Sequence, residues 1–397
     1  MASTPNDQPT SADGLALARR ASVTWRVPFN RASVTGRELE YVRSAIEAGY
    51  ISGDGPYTRR CEELLERELG APRVLLTTSC THALEAAALV LDVGPEDEVI
   101  VPSFTFVSTA AAFALRGARI VFADVRPDTL NLDESLLPEL VTERTRAIVP
   151  VHYAGVGCEL EAIGAHGVPV VEDNAQGLFG SWRGRPLGTF GVLAAQSFHE
   201  TKNLTCGEGG ALVVNDPALA ERAEVIREKG TNRKRFFRGQ VDKYTWVDLG
   251  SSYVLPDLLA GFLAAQLEHR QQIQHARRVL WERYDDGLRD WADTHGVRRP
   301  VVPEDCGQSW HMYYLLLPSL DARTRLIEHL AQRSILAVFH YQPLHLSTMG
   351  RRYGGRAGQC PVTEDVADRL VRLPFYTSMT EPVQAEVLDA VTAFRDV

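Results

Sequence analysis

Lysine is scarce in this sequence. The 397 residues include four: Lys202, Lys229, Lys234 and Lys243. Arginine carries nearly all the other positive charge. A guanidinium stays protonated, whereas a desolvated ammonium can give up its proton and act as a covalent amine. If the chain uses an amine in catalysis, it has few to choose from. Other absences narrow the field. The six cysteines (Cys61, Cys80, Cys158, Cys206, Cys306, Cys360) are scattered without a C-x-x-C pair. That speaks against a disulfide framework or a zinc site and suits a reducing compartment. No apolar run approaches membrane-spanning length. Met1 to Asp13 is polar and lacks the basic-then-apolar pattern of a secretion signal, so a cytoplasmic location is expected. A net charge of −9 argues against nucleic acid as a partner.

The apolar fraction of 45% and charged fraction of 23% are those of an ordinary globular protein. The length suits one large domain plus a smaller one. Residues 1–24 read as a flexible tail, 25–255 as a large domain, and 256–397 as linking helices with a small α+β domain. Thr35-Gly36-Arg37-Glu38 resembles a capping box ahead of a helix over 37–48. A second helix is expected over 57–69. Strands are then expected at 73–77, 98–102, 119–124, 146–151, 168–173, 191–198 and 211–215. Between them lie helices at 82–91, 108–115, 134–140 and 160–166. Short apolar β-branched runs alternating with helices imply a largely parallel, buried sheet. Residues 211–215 follow a glycine-rich turn and are expected to hairpin onto the strand before Lys202. Further helices are expected at 217–229 and 257–290. In the last hundred residues the pattern gives strands at 312–317 and 336–340 and helices at 323–333, 363–370 and 382–394.

Lys202 stands apart from the other lysines. It follows the apolar run Gly191 to Phe198 and precedes Gly207-Glu208-Gly209-Gly210, whereas the rest lie in a charged stretch. His199-Glu200 begins an H-E-x-x-H pattern, but position 203 is Asn, so no zinc site is expected. Strand ends elsewhere finish in polar groups, where open α/β sheets bind ligands. Thr77-Thr78-Ser79-Cys80-Thr81 precedes a helix and suits a phosphate, although a plain helix cap explains it as well. Phe106 could support a flat ring or simply fill the core. Asp173 ends a buried strand, where an acid is costly unless paired with a cation. A lysine, a buried acid, a phosphate cradle and a ring support together are what pyridoxal phosphate requires.

Val171-Glu172-Asp173 with Ala175-Gln176, Ser197-Phe198 with Lys202, and Gly207-Glu208-Gly209-Gly210 resemble the DegT/StrS family of nucleotide-sugar aminotransferases. The resemblance runs from about residue 27 to the C-terminus. Residues 197–203, 227–233 and 236–246 are similar to the branch that makes dTDP-4-amino-4,6-dideoxyhexoses from dTDP-4-keto-6-deoxyglucose. The commoner family pattern after the glycine is Asn-Tyr-Arg-Met. Here it is Gly250-Ser251-Ser252-Tyr253-Val254-Leu255, and the narrower branch also has Ser-Ser-Tyr.

The resemblance implies a fold type I pyridoxal-phosphate transferase, α/β, with a mainly parallel sheet and a smaller C-terminal α+β domain. It implies that Lys202 carries the cofactor, pyridoxal 5′-phosphate (pyridoxamine phosphate during turnover), and shuttles the proton. Asp173 would pair with the ring nitrogen, Gln176 approach the ring hydroxyl, and Phe106 stack on the ring. Ser79, Cys80 and Ser197 would hold the phosphate. Asn232 would reach the cofactor phosphate of a second subunit, which implies a homodimer with a shared active site. Arg238, Lys243, Tyr244, His340 and Tyr341 would meet the dTDP-sugar, with L-glutamate as donor. For Arg233 to Arg235 a solvated charged face is the competing reading. Rival readings are amino transfer to C3, a sugar 3-dehydratase of the same fold, and a non-catalytic cofactor-binding regulator. The dehydratases carry His in place of the lysine.

Overall fold

The computed structural model describes residues 24–395. The expected N-terminal tail therefore lies almost wholly outside the described residues. The central strands are β1 (Arg73–Thr77), β2 (Glu98–Pro102), β3 (Arg119–Ala123), β4 (Thr145–Ile148), β5 (Val171–Asp173), β6 (Leu193–Ser197) and β7 (Gly210–Val214). They form two ladders, β1-β7-β6-β5 and β3-β2-β4. Single parallel bridges, Ile148 to Val170 and Val151 to Asp173, join β4 to β5 and make one layer. The pairs β5–β6, β2–β3 and β2–β4 are parallel, and β7 runs antiparallel to both β1 and β6. The sheet is thus mixed, with parallel pairing on the β5-to-β3 side. The expected hairpin onto the strand before Lys202 is present.

The strands are apolar because both faces are covered. Leu75, Val99, Val101, Leu193 and Leu212 face a cluster with Ala83, Ala87 and Phe113. Val74, Leu76, Ala194 and Val213 face another with Leu65, Ala260 and Leu263. Residues that alternate along one strand therefore enter different cores. Helix Asp257–Glu268 packs in this second cluster, with the sheet. The 26-residue helix Arg270–His295 then runs into a separate core of Leu280, Tyr284, Leu288 and Trp291 with Tyr313, Leu315, Leu326 and Val371. Val27 belongs to that C-terminal core and bridges Ile335. The N-terminal segment therefore straps the two units together.

Some elements differ from expectation. The strand expected at 168–173 begins at Val171, because Pro169 has no N–H for a ladder. The strand expected at 336–340 is a single bridge, Val338 to Arg372. In the C-terminal unit β8 (Tyr314–Leu316) pairs with β9 (Leu370–Arg372).

Candidate active site

In the ladder, Gly210 of β7 pairs with Thr77 on one side and Ser197 on the other. Since β7 is antiparallel to both neighbours, β1 and β6 end together. Their C-terminal residues meet at one edge of the sheet, and β5 delivers Asp173 beside them. The turn Ser79–Cys80 leans on Gly210. A Cβ built at Gly210 would sit 2.4 Å from Cys80 N, so no other residue fits without moving that turn. Ser79 caps helix Cys80–Val90 by accepting from His82 N at 3.1 Å. The first N–H groups of the helix, on Cys80 and Thr81, find no protein acceptor among the described residues. Free N–H groups at a helix N-terminus favour an anion.

Lys202 sits in the β6–β7 connection, which is held tightly. Phe198 N donates to Gly209 O at 2.8 Å, Glu200 N to Gly207 O at 2.9 Å, and Lys202 N to His199 O at 2.9 Å. From outside, Asn30 Nδ2 donates to Glu200 O at 3.2 Å and Asn203 Nδ2 to Ser309 O at 2.7 Å. Asn203 Oδ1 is 2.9 Å from His311 Nδ1. Among the described residues Lys202 Nζ has no hydrogen-bond or ion-pair partner. Burial pushes its pKa below the ordinary lysine value and the charge of Arg372 adds to this, while Cys80 and Asp173 oppose it. An amine with a lowered proton affinity is the state a covalent amine catalyst needs.

Asp173 is 5% exposed. Its Oδ2 accepts from Thr109 Oγ1 at 2.7 Å and its Oδ1 from Ala175 N at 3.2 Å. Its neighbour Glu172 does structural work. Glu172 accepts from Gly188 N, Phe190 N and Gly191 N at 2.6–2.8 Å and pairs with His152 Nε2 at 2.8 Å. Two adjacent acids thus have separate duties, one holding the turn into β6 and one entering the cavity.

A cavity of about 740 Å³ opens over this edge, between the two units. Of the residues expected from the sequence, Ser79, Cys80, Phe106, Asp173, Gln176, Ser197, Lys202, His340 and Tyr341 line it. Phe106 is 56% exposed, a ring open to a flat ligand. Gln176 Oε1 accepts from Ala154 N at 2.8 Å, and Gln176 Nε2 donates to the Tyr341 hydroxyl at 3.0 Å. His340 stacks on Tyr341 with ring centroids 3.6 Å apart, and its Nδ1 is 2.7 Å from the Tyr153 hydroxyl. Burial holds His340 and His311 well below the ordinary histidine value, so both are neutral near pH 7. Asn232, Arg238, Lys243 and Tyr244 do not line the cavity of their own chain. Arg238 pairs with Glu224 at 2.7 Å, and Asn232 Oδ1 accepts from Thr245 N at 2.8 Å. Sequence reasoning missed Phe29, His311 and Arg372, which line the cavity. Arg372 did carry a signal: it is the one charge in the apolar run Val371-Arg372-Leu373-Pro374-Phe375.

The fold and this edge define a pyridoxal-phosphate-dependent aminotransferase class. The family model described as the DegT/DnrJ/EryC1/StrS aminotransferase family matches residues 33–392, and the chain belongs to that family. It is a sugar aminotransferase. It is 31% identical over 383 residues to the spore coat polysaccharide biosynthesis protein SpsC of Bacillus subtilis, covering 94% of this chain and 97% of that one. Among solved structures it is similar to DesV of S. venezuelae in complex with a ketimine intermediate. That match has a TM-score of 0.84 and 31% identity, over 93% of this chain and 98% of the other. It is also similar to Spr1654 of Streptococcus pneumoniae, a candidate sugar aminotransferase in its PLP form. Here the TM-score is 0.85 and the identity 25%, over 92% and 98% of the two chains.

The residues present fit the cofactor. Lys202 has a free, deprotonation-prone amine. Asp173 is a buried acid with no cationic partner among the described residues. The cradle at Ser79, Cys80 and Ser197 is one that a Cβ on Gly210 would disturb.

Proposed function

We propose that the chain moves the amino group of L-glutamate to C4 of dTDP-4-keto-6-deoxy-D-glucose, giving a dTDP-4-amino-4,6-dideoxyhexose. The observation that carries amino transfer is the unpartnered Lys202 that shares the floor of the cavity with Asp173. Support for the sugar comes from the stretch 227–246, which resembles the branch acting at C4. Bound pyridoxal phosphate supplies the electron sink that makes the donor's Cα–H acidic. Lys202 Nζ takes that proton and later delivers one to sugar C4. Asp173, screened from water, holds a proton on the ring nitrogen. Ser79, Cys80 and Ser197 bind the phosphate, and Phe106 supports the ring face. Gln176, oriented by Ala154 N, sets the ring hydroxyl.

We further infer a homodimer whose partner supplies Asn232 and the basic, aromatic segment after it. In the single chain Phe237 is 63%, Tyr244 53% and Trp246 75% exposed, which is unusual for three such rings in one short stretch of sequence. Arg238 and Lys243 then suit the diphosphate of the sugar nucleotide.

The test is the proton NMR spectrum of the sugar product after incubation with L-glutamate and the 4-keto sugar nucleotide. An amine at C4 is expected, and the coupling of H4 to H3 and H5 gives its axial or equatorial placement. An unchanged sugar from a protein that holds the cofactor would overturn the substrate. An amine gained only from a 3-keto sugar would move the reaction to C3.

A further inference from the structure

Arg372 ends β9 and lines the same cavity as Lys202. Its guanidinium lies over the Phe29 ring, 4.6 Å from the centroid, and one terminal nitrogen donates to Phe339 O at 3.3 Å. Nε is buried with no partner. Among the described residues no carboxylate pairs with Arg372. Two other interior arginines have more partners, although Nε of Arg227 is also unpaired. Arg227 is held by Asp54 and Glu62 at 2.8 and 2.6 Å, and Arg277 donates to the carbonyls of Trp310 and His311. A guanidinium in an apolar wall without an anion is costly, and burial lowers its hold on the proton. The cavity is therefore short of an anion at this place.

Its position selects which anion. The cofactor phosphate belongs to the Ser79–Ser197 floor at the strand ends. In the sugar nucleotide, several bonds separate C4 from the diphosphate, so with C4 at Lys202 the diphosphate lies further out. In an amino acid, the α-carboxylate is bonded directly to the carbon that must approach Lys202. Lys202 and Arg372 line the one cavity, and the charge of Arg372 is felt at Lys202. Phe29 and Phe339 O fix the plane of the guanidinium, and a planar fork matches the two oxygens of a carboxylate.

We propose that Arg372 is the receptor for the α-carboxylate of the amino donor. This deepens the aminotransferase reading above and rests on it. During the second half of the cycle the same group faces neutral sugar, so its contribution is confined to the donor half.

The experiment uses the cofactor-loaded enzyme and separates the two halves. Glutarate, a dicarboxylate without an amine, is titrated by calorimetry. The donor half is followed by absorbance against L-glutamate concentration, and the sugar half is started from enzyme already carrying the amine. For Arg372→Gln we expect glutarate binding to be lost and the half-saturating L-glutamate concentration to rise about 100-fold. The sugar half should stay within about threefold of wild type. Arg372→Lys keeps the charge without the fork and should fall between, with a melting curve for each variant showing that it folds. Unchanged glutarate binding and donor saturation, or a loss falling on the sugar half, would overturn the proposal. If no keto sugar accepts the amine while the donor half depends on Arg372, the proposed sugar fails and the receptor stands.

Discussion

The floor under Lys202 and the segment 232–249 belong to one chain but are built by opposite means. The floor is closed. Its loops are pinned by backbone hydrogen bonds, by Asn30 and Asn203, and by a glycine whose missing side chain admits the Ser79 turn. The segment is open. It is tied to the body by Lys234 to Asp54 at 2.8 Å and Arg238 to Glu224 at 2.7 Å, while its large rings face solvent. The floor draws its groups from adjoining strand ends of one sheet, so a single chain assembles most of it. In the proposed dimer a nucleotide sugar reaches beyond this floor, to the partner's copy of the segment.

The sharpest break in this comparison is Lys202→Ala. It should lower turnover by about 10⁴-fold or more, because one group is asked to supply both the covalent link and the proton transfer. Sugar-nucleotide binding, measured by calorimetry, should persist. Normal turnover would end the mechanism. Gly210→Ala comes next. Its added Cβ meets Cys80 N at 2.4 Å, so the phosphate turn must shift and cofactor affinity should fall at least about tenfold. Retained affinity would mean that the phosphate is held elsewhere.

The smallest effect is on pH. Burial depresses the folded-state pKa of His311, whose Nδ1 is 2.9 Å from Asn203 Oδ1. A depressed histidine means that the unfolded chain binds the proton more readily. Stability is then whole above the ordinary histidine range and declines as pH falls through it. Melting temperature should drop between about pH 7.5 and pH 5.5, and the drop should be shallower in His311→Gln. An equal slope in both proteins would place the sensitivity elsewhere.

Much of the closed region was legible in the sequence. β1, β2 and β6 sit on short apolar runs bounded by polar turns, and Asp173 betrayed itself as an acid at the end of such a run. Lys202 was legible through rarity. Arg372 carried the same mark as Asp173, a charge inside an apolar run, yet it lies 170 residues from Lys202. Sequence cannot show that two such distant points share a cavity; the strap by Val27 and the pairing of β9 with β8 bring them together. The strand expected at 336–340 failed for a related reason. After Val338 the chain leaves the ladder so that His340 and Tyr341 can wall the cavity. Apolar character there reflects a ligand wall, not a strand. For Arg238, Lys243 and Tyr244, the sequence suggested contact with the sugar nucleotide, and they lie away from the cavity of their own chain.

The central claim, that the two regions meet across copies, is tested most directly by mixing two defective proteins. Lys202→Ala lacks the floor, and Asn232→Ala with Arg238→Ala lacks the segment. Refolded together, half of the dimers are mixed, and in each of these one site draws both intact parts. About a quarter of the wild-type activity should then return. No return above the two variants alone, with mixed dimers shown by mass spectrometry, would mean that each chain completes its own site.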